Sequence, residues 1–452
     1  MKKLWNNKNV KEIFDFCEGY KDFLSNNKTE RECVKTIKEM AIKEGYKDLK
    51  EIIKNKTALS FGDKIYVTNL DKCIFLFKIG SRPITEGMRI LGSHIDSPRL
   101  DLKPNPLYEN GSSNIALFDT HYYGGIKHYQ WTALPLALHG VVCKKDGTVV
   151  NVNIGEKDED PVFCISDLLP HLDRENKGAE NKIVGENLNV IIGGIPLENE
   201  KKESVKANIL KILKSQNIEN DDFISAEIEV VPAGKARDMG LDRSFVLGYG
   251  QDDRISAYTS LKALFDCKEN DYTLSAMFVD KEEVGSQGAS GMQSLFFEDM
   301  LAEITELLGE NSHLAVRRAL RNSYMLSSDV TGGYDPNYES AFDKNNDAFL
   351  GKGISFNKYT GGRGKSGAND ASPEYIALLR NLLDKNEVNY QLTEMGKIDQ
   401  GGGGTIAYIT ANYGMNVIDC GCPLLNMHAP FEISSKADVF EAYKCYKAFL
   451  TL

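Results

Sequence analysis

Apolar residues recur at three- and four-residue intervals near the start of the chain, where Ile13, Phe16, Cys17, Tyr20, Phe23 and Leu24 fall on one face of a helix. A second helix is predicted over residues 30–44. The period then shortens. Ile65-Tyr66-Val67 and Cys73-Ile74-Phe75-Leu76-Phe77 predict a hairpin, and Arg89-Ile90-Leu91 predicts a short strand leading into Gly92-Ser93-His94.

The texture changes after Pro98. From about residue 100 to 243 turn signals separate short β-like runs, such as 148–154 and 227–231, while 157–160 and 177–182 are charged and loop-like. Residues 201–220 predict an exposed helix and loop. The stretch therefore reads as a β-rich insertion.

Alternation of helix and strand returns at Asp252. Helices are predicted over 254–265, near Met292, through 313–320 as a long element, and over 373–384, 405–411 and 437–450. Strands are predicted over 272–279, 324–328 and 416–419, with a glycine-rich segment at 351–367. This order describes an α/β fold whose sheet is largely parallel and flanked by helices.

Composition narrows the class. A chain of 452 residues has room for about two or three domains and a large core. Hydrophobic content of 42% with 26% charged residues is that of a globular protein. A net charge of -11 argues against nucleic acid, since phosphate binding needs clustered Lys and Arg. The chain opens without the apolar core of a secretory signal, and no run of about 18 apolar residues could span a bilayer. Nine scattered cysteines, with Cys420 and Cys422 flanking one glycine, lack zinc-ribbon spacing. Reduced, mostly buried thiols in a cytoplasmic protein are expected.

The chemistry concentrates at Asp280-Lys281-Glu282-Glu283-Val284-Gly285, just past the apolar run that ends at Val279. Neighbouring carboxylates at the end of a core strand are costly unless cations neutralise them. A metal is the economical answer: one glutamate ligates, its neighbour serves as a base, and metal-assisted hydrolysis follows. In open α/β sheets ligands bind beyond the carboxyl ends of strands. Five segments fit that position: His94-Ile95-Asp96, Asp252-Asp253, Glu282-Glu283, Asp329 and His428. Two imidazoles with several carboxylates suit zinc, with manganese or cobalt as alternatives. Ordinary readings stand beside this one. Asp252-Asp253 could cap the helix that follows, and Glu282-Glu283 could be a solvated helix start.

Taken in order, Gly92-Ser93-His94-Ile95-Asp96-Ser97-Pro98-Arg99-Leu100, Asp252-Asp253-Arg254, Glu282-Glu283-Val284-Gly285, Ser328-Asp329 and Met427-His428 resemble the aspartyl aminopeptidase family of dinuclear zinc exopeptidases, nearly end to end. The resemblance implies a catalytic domain at 1–98 and 244–452, split by a dimerisation domain at 99–243, and a tetrahedral homo-dodecamer built from dimers. It implies two divalent ions per subunit. Asp252 would bridge them, with Asp253 following across a cis peptide bond; His94 and Asp329 would complete one site, and Glu283 and His428 the other. Asp96 would orient His94 and Glu282 would act as general base. Short peptides would be the substrates, acted on at the N-terminus, with Asp or Glu favoured there. His171 resembles a histidine lent to a neighbouring subunit's active site.

An acidic substrate side chain would need a cation, for which Arg363 and Lys365 are candidates. Gly401-Gly402-Gly403-Gly404 is not a P-loop, because no Gly-Lys-Ser/Thr follows; it lets backbone approach a ligand, or is a flexible turn. Two rival functions remain open: a deacylase or carboxypeptidase on a related zinc-exopeptidase fold, and a non-catalytic shell or cargo protein.

Overall fold

The computed structural model describes residues 4–5, 10–172, 183–268 and 270–452. The chain divides into two compact units. The first comprises Met1–Asp96, Ala236–Met427 and Glu432–Leu452; the second comprises Ser97–Lys235 and His428–Phe431.

A nine-stranded sheet organises the first unit, in the order Lys47–Asp48, Lys64–Asn69, Cys73–Lys78, Thr273–Val279, Met88–His94, Tyr324–Ser327, Asn416–Gly421, Ile354–Asn357 and Tyr390–Thr393. Cys73–Lys78 is antiparallel to both its neighbours, and Ile354–Asn357 is antiparallel to Asn416–Gly421; every other pairing is parallel. Helices cover both faces. Along Thr273–Val279, Leu274, Ala276 and Phe278 join the core cluster on one face, while Met277 and Val279 join that on the other. A strand turns successive side chains to opposite faces, so a sheet covered twice needs a solid apolar run rather than alternation.

On the first face lie Val10–Asn26, Glu30–Lys43, Gln251–Asp266, Pro373–Lys385 and Lys436–Phe449. Val10–Asn26 buries Ile13, Cys17, Tyr20, Phe23 and Leu24, the face its periodicity marks. Glu30–Lys43 begins in a capping box, with Glu32 N donating to Thr29 Oγ1 at 3.2 Å and the Glu32 carboxylate accepting from Thr29 N. The second face carries Leu49–Asn55, Phe296–Leu307, Ala315–Arg321 and Ala407–Ala411.

Two helix expectations shift. Met292 lies in a turn, and the long helix begins four residues on, at Phe296. Gly288, at a φ of 103°, and the cramped Gly291 hold that segment out of helix. The element over 313–320 is only the short Ala315–Arg321. The edge strand Tyr390–Thr393 and a five-stranded sheet were not foreseen. In the latter, Phe245–Gly248 pairs with both Arg237–Met239 and Glu432–Ser435, which joins residues 237–243 to the first unit.

The second unit is built on a six-stranded, wholly antiparallel sheet. The run at 148–154 forms Val149–Ile154 and that at 227–231 forms Ala226–Pro232. Ser204–Ser215 is the helix expected within 201–220. The loop expected at 177–182 lies outside the described residues. Among the described residues no helix is long and apolar enough to cross a membrane.

Candidate metal centre

Three adjacent parallel strands bring the acidic and imidazole groups to one rim. Thr273–Val279, Met88–His94 and Tyr324–Ser327 are neighbours, with Val279 in register with His94 and Ser327 with Gly92. Their carboxyl ends therefore deliver His94, the Glu282–Val284 turn and Asp329 to the same edge. Asp252 and Asp253 enter at the head of Gln251–Asp266, joined by a cis peptide bond, and both keep non-helical backbone angles. Neither oxygen of Asp253 completes a hydrogen bond to the first turn, so this aspartate does not cap the helix.

His94 is the hub. Its Nε2 lies 3.1 Å from Asp252 Oδ1 and 3.9 Å from both Glu282 Oε2 and Asp329 Oδ1. Its Nδ1 lies 3.0 Å from the Asp96 carbonyl, which can only accept. Nδ1 therefore carries the proton, and Nε2 presents its lone pair to the carboxylates in the neutral ring. The Asp96 carboxylate adds a second connection. Its oxygens accept from Glu282 N and Glu283 N, each at 3.2 Å, fixing the glutamate pair relative to His94.

Ligand atoms fall into two groups, each within 4.8 Å: His94, Asp252 and Glu283, and His94, Asp253 and Asp329. Asp253 is the member that sequence reasoning placed beside the site without giving it a ligand's part; its signal was adjacency to Asp252.

Electrostatics make the set unstable as bare charges. Burial opposes a positive His94, yet hydrogen bonds to Asp252 and Asp96 and the charges of Glu282 and Asp329 outweigh it, raising the imidazole well above its ordinary range. Burial pushes the Asp253 carboxyl far up; His94 opposes that and Asp252 reinforces it. The Ser256 hydroxyl and the His94 backbone lean toward Asp253 without completing a hydrogen bond. Asp329 keeps 12% of its side chain exposed, but the packed surroundings and the neighbouring Asp253 push its carboxyl up as well. Mutually repelling buried carboxylates around one imidazole are stabilised by cations placed among them, so the donor set fits divalent metal.

Four further sequence-predicted residues stand outside these two groups. His428 belongs to the short segment grouped with the second unit, where its Nδ1 lies 2.9 Å from the Gly125 carbonyl. That contact selects the same tautomer as in His94. His171 is exposed in the second unit, next to the undescribed stretch. Arg363 and Lys365 line a cavity of about 230 Å³ in the first unit, walled by glycine-rich loops and by Tyr359, Glu394 and Lys397. Lys365 Nζ is 3.4 Å from Asp370 Oδ2 and 3.8 Å from the centre of the Tyr359 ring. The glycine run closes this wall. A Cβ on Gly402, whose φ is 111°, would stand 2.7 Å from Gly361 O, so the run's close approach is to another loop.

The family model described as "Aminopeptidase I zinc metalloprotease (M18)" matches residues 23–450. The chain is 58% identical to a "Probable M18 family aminopeptidase 1" of Clostridium acetobutylicum, over 99% of this chain and 96% of that one. A crystal structure of an M18-family aminopeptidase from Thermotoga maritima superposes with a TM-score of 0.95 at 45% identity, covering 100% of this chain and 99% of that one. One of aminopeptidase I from Clostridium acetobutylicum gives 0.92 at 56% identity, with the same coverage.

Proposed function

We propose, for a chain that belongs to the aminopeptidase I zinc metalloprotease (M18) family, that a pair of divalent ions held around His94 and Asp252 serves N-terminal cleavage of short peptides. The protein is a metal-dependent aminopeptidase, a hydrolase. The gathering of Asp252, Asp253, Glu283 and Asp329 ligand atoms around His94, with Glu282 at their margin, is more carboxylate than one cation neutralises and supports the dinuclear reading. Asp252 would be the ligand common to both ions, with His94 and Asp329 holding one and Glu283 and His428 the other. Zinc is the favoured metal, with cobalt or manganese as alternatives.

When bound, such ions polarise the scissile carbonyl and acidify water. Glu282 is the general base: its carboxylate takes a proton from the attacking water and passes it to the leaving amine. Asp96 holds the Glu282 and Glu283 amides and the His94 ring in one geometry, so that base and ligands keep their relative position. Arg363 and Lys365 receive an acidic N-terminal side chain, a preference for Asp or Glu supported by their place, with Lys397, on a cavity that Glu394 and Asp399 also line.

The inserted residues serve self-association, with a dodecamer built from dimers as the assembly and His171 contributing to a neighbour's site. Val162, Leu168, Leu169, Leu172 and Val184 are each exposed on that unit, apolar side chains of the kind a partner subunit buries. All nine cysteines are unbridged and seven are buried, which supports a reducing, cytoplasmic setting.

Elemental analysis joined to substrate profiling tests the reading. Two ions per subunit are expected, together with cleavage of free peptides and rejection of the same peptides blocked at the N-terminus. Turnover of the blocked peptides would overturn it in favour of a deacylase or carboxypeptidase.

A further inference from the structure

The loop that carries Glu282 and Glu283 is fastened from below by a hairpin turn remote in sequence. Lys64–Asn69 and Cys73–Lys78 are joined through Leu70, Asp71 and Lys72, with φ values of 53° and 54° at the first two. Lys72 N closes the turn on Asn69 O at 3.0 Å. Positive φ at both central residues of the Asn69–Lys72 turn matches the twist of the flanking strands. It sends the two flanking side chains, Asn69 and Lys72, toward the base-bearing loop.

Asn69 Nδ2 donates to Ala289 O at 2.7 Å. Lys72 Nζ lies 2.7 Å from Glu30 Oε1 and 3.6 Å from Asp280 Oδ2, and both carboxylates are fully buried. Asp280 in turn holds the two ends of the loop together. Its Oδ1 accepts from Lys281 N at 2.8 Å, and its Oδ2 from Ser290 Oγ at 2.5 Å. Inside the loop, Ser286 N donates to Lys281 O at 2.7 Å. Gly291 packs so tightly that a Cβ there would stand 2.3 Å from Ser286 O. The loop is thus a closed unit with two external anchors on one hairpin turn and a third at Asp96.

We infer that the Asn69–Lys72 turn is a clamp that positions Glu282, with Lys72 and Asn69 as positioning residues for proton transfer. The inference rests on Glu282 being the base. A shift of the loop by a fraction of an ångström would misplace that carboxylate, while Glu283 stays fixed through its amide on Asp96, so the clamp acts on kcat more than on KM or metal content.

The test uses the full-length, metal-loaded protein with Lys72→Met, Lys72→Arg and Asn69→Ala, and with Glu282→Gln as a control. Lys72→Met should lower kcat about tenfold with KM and metal content unchanged, Lys72→Arg should restore most of it, and Asn69→Ala should lower kcat about threefold. Wild-type kcat in both Lys72→Met and Asn69→Ala overturns the clamp, as does a loss that only tracks depleted metal. If Lys72→Met fails to fold, Asn69→Ala alone decides. An inactive Glu282→Gln beside an unaffected clamp removes only this inference; an active Glu282→Gln removes the assignment of the base and the clamp with it.

Discussion

The rim around His94 and the cavity around Arg363 belong to the same unit but are built in opposite ways. The rim stands on the ends of three parallel strands whose residues are almost wholly buried, and its side chains are tied to one another. The cavity is walled by loops at 359–365 and 394–402, and Arg363 and Lys365 are exposed. Chemistry demands fixed distances between ligands and base, which strand ends supply. Recognition of a variable side chain tolerates adjustment, and loops supply that at lower stability.

The largest effect expected on the rim comes from Asp252→Asn. If Asp252 bridges two ions, this one change should strip both, seen by elemental analysis, and abolish hydrolysis. Loss of a single ion would show that the bridge lies elsewhere. Glu282→Gln comes next. Metal should be retained while kcat falls by about a hundredfold to ten-thousandfold, the range that a positioned base contributes. Unchanged turnover with full metal would take the base away from Glu282.

On the loop side the effects should be smaller and selective. Arg363→Ala with Lys365→Ala should raise KM for peptides beginning with Asp or Glu about tenfold, leaving those beginning with Leu unchanged. An equal loss for both would make these cations part of the common machinery.

The smallest effect concerns Asp438, which braces the start of the glycine-rich segment by accepting from Gly351 N at 2.6 Å and Gly353 N at 2.7 Å. Burial, opposed by those two hydrogen bonds, pushes its carboxyl up from 3.8 to about 7. Between those values the folded protein keeps a proton that the unfolded chain has lost. This group's contribution therefore weakens stability as pH rises from about 4 to about 7. Asp438→Asn should flatten that part of the Tm–pH profile, and identical slopes in the two proteins would refute the assignment.

Legibility in the sequence followed the same division. The Thr273–Val279 strand and the helix Val10–Asn26 were readable because burial on two faces, or on one, leaves a run or a period. His94, Glu283 and Asp329 stood out in the sequence because each follows such a run. Tyr390–Thr393 did not, because an edge strand of mixed exposure carries neither signal. The helix expected near Met292 starts only at Phe296, because Gly288 and Gly291 impose a turn on residues whose apolar spacing continues the helical pattern. Asp253 was visible only as a neighbour.

By itself the sequence determined the α/β character of the chain, its interruption by antiparallel β structure, and the choice of carboxylates and imidazoles at strand ends. Those follow from local period and from the cost of charge beside apolar runs. Only tertiary structure decided that His94 stands in both groups of candidate ligand atoms, that Asp96 ties Glu282 and Glu283 to it, and that Asn69 and Lys72 reach the loop that carries Glu282. These are relations between segments up to about two hundred residues apart, set by strand order and register, and one-dimensional spacing carries no record of them.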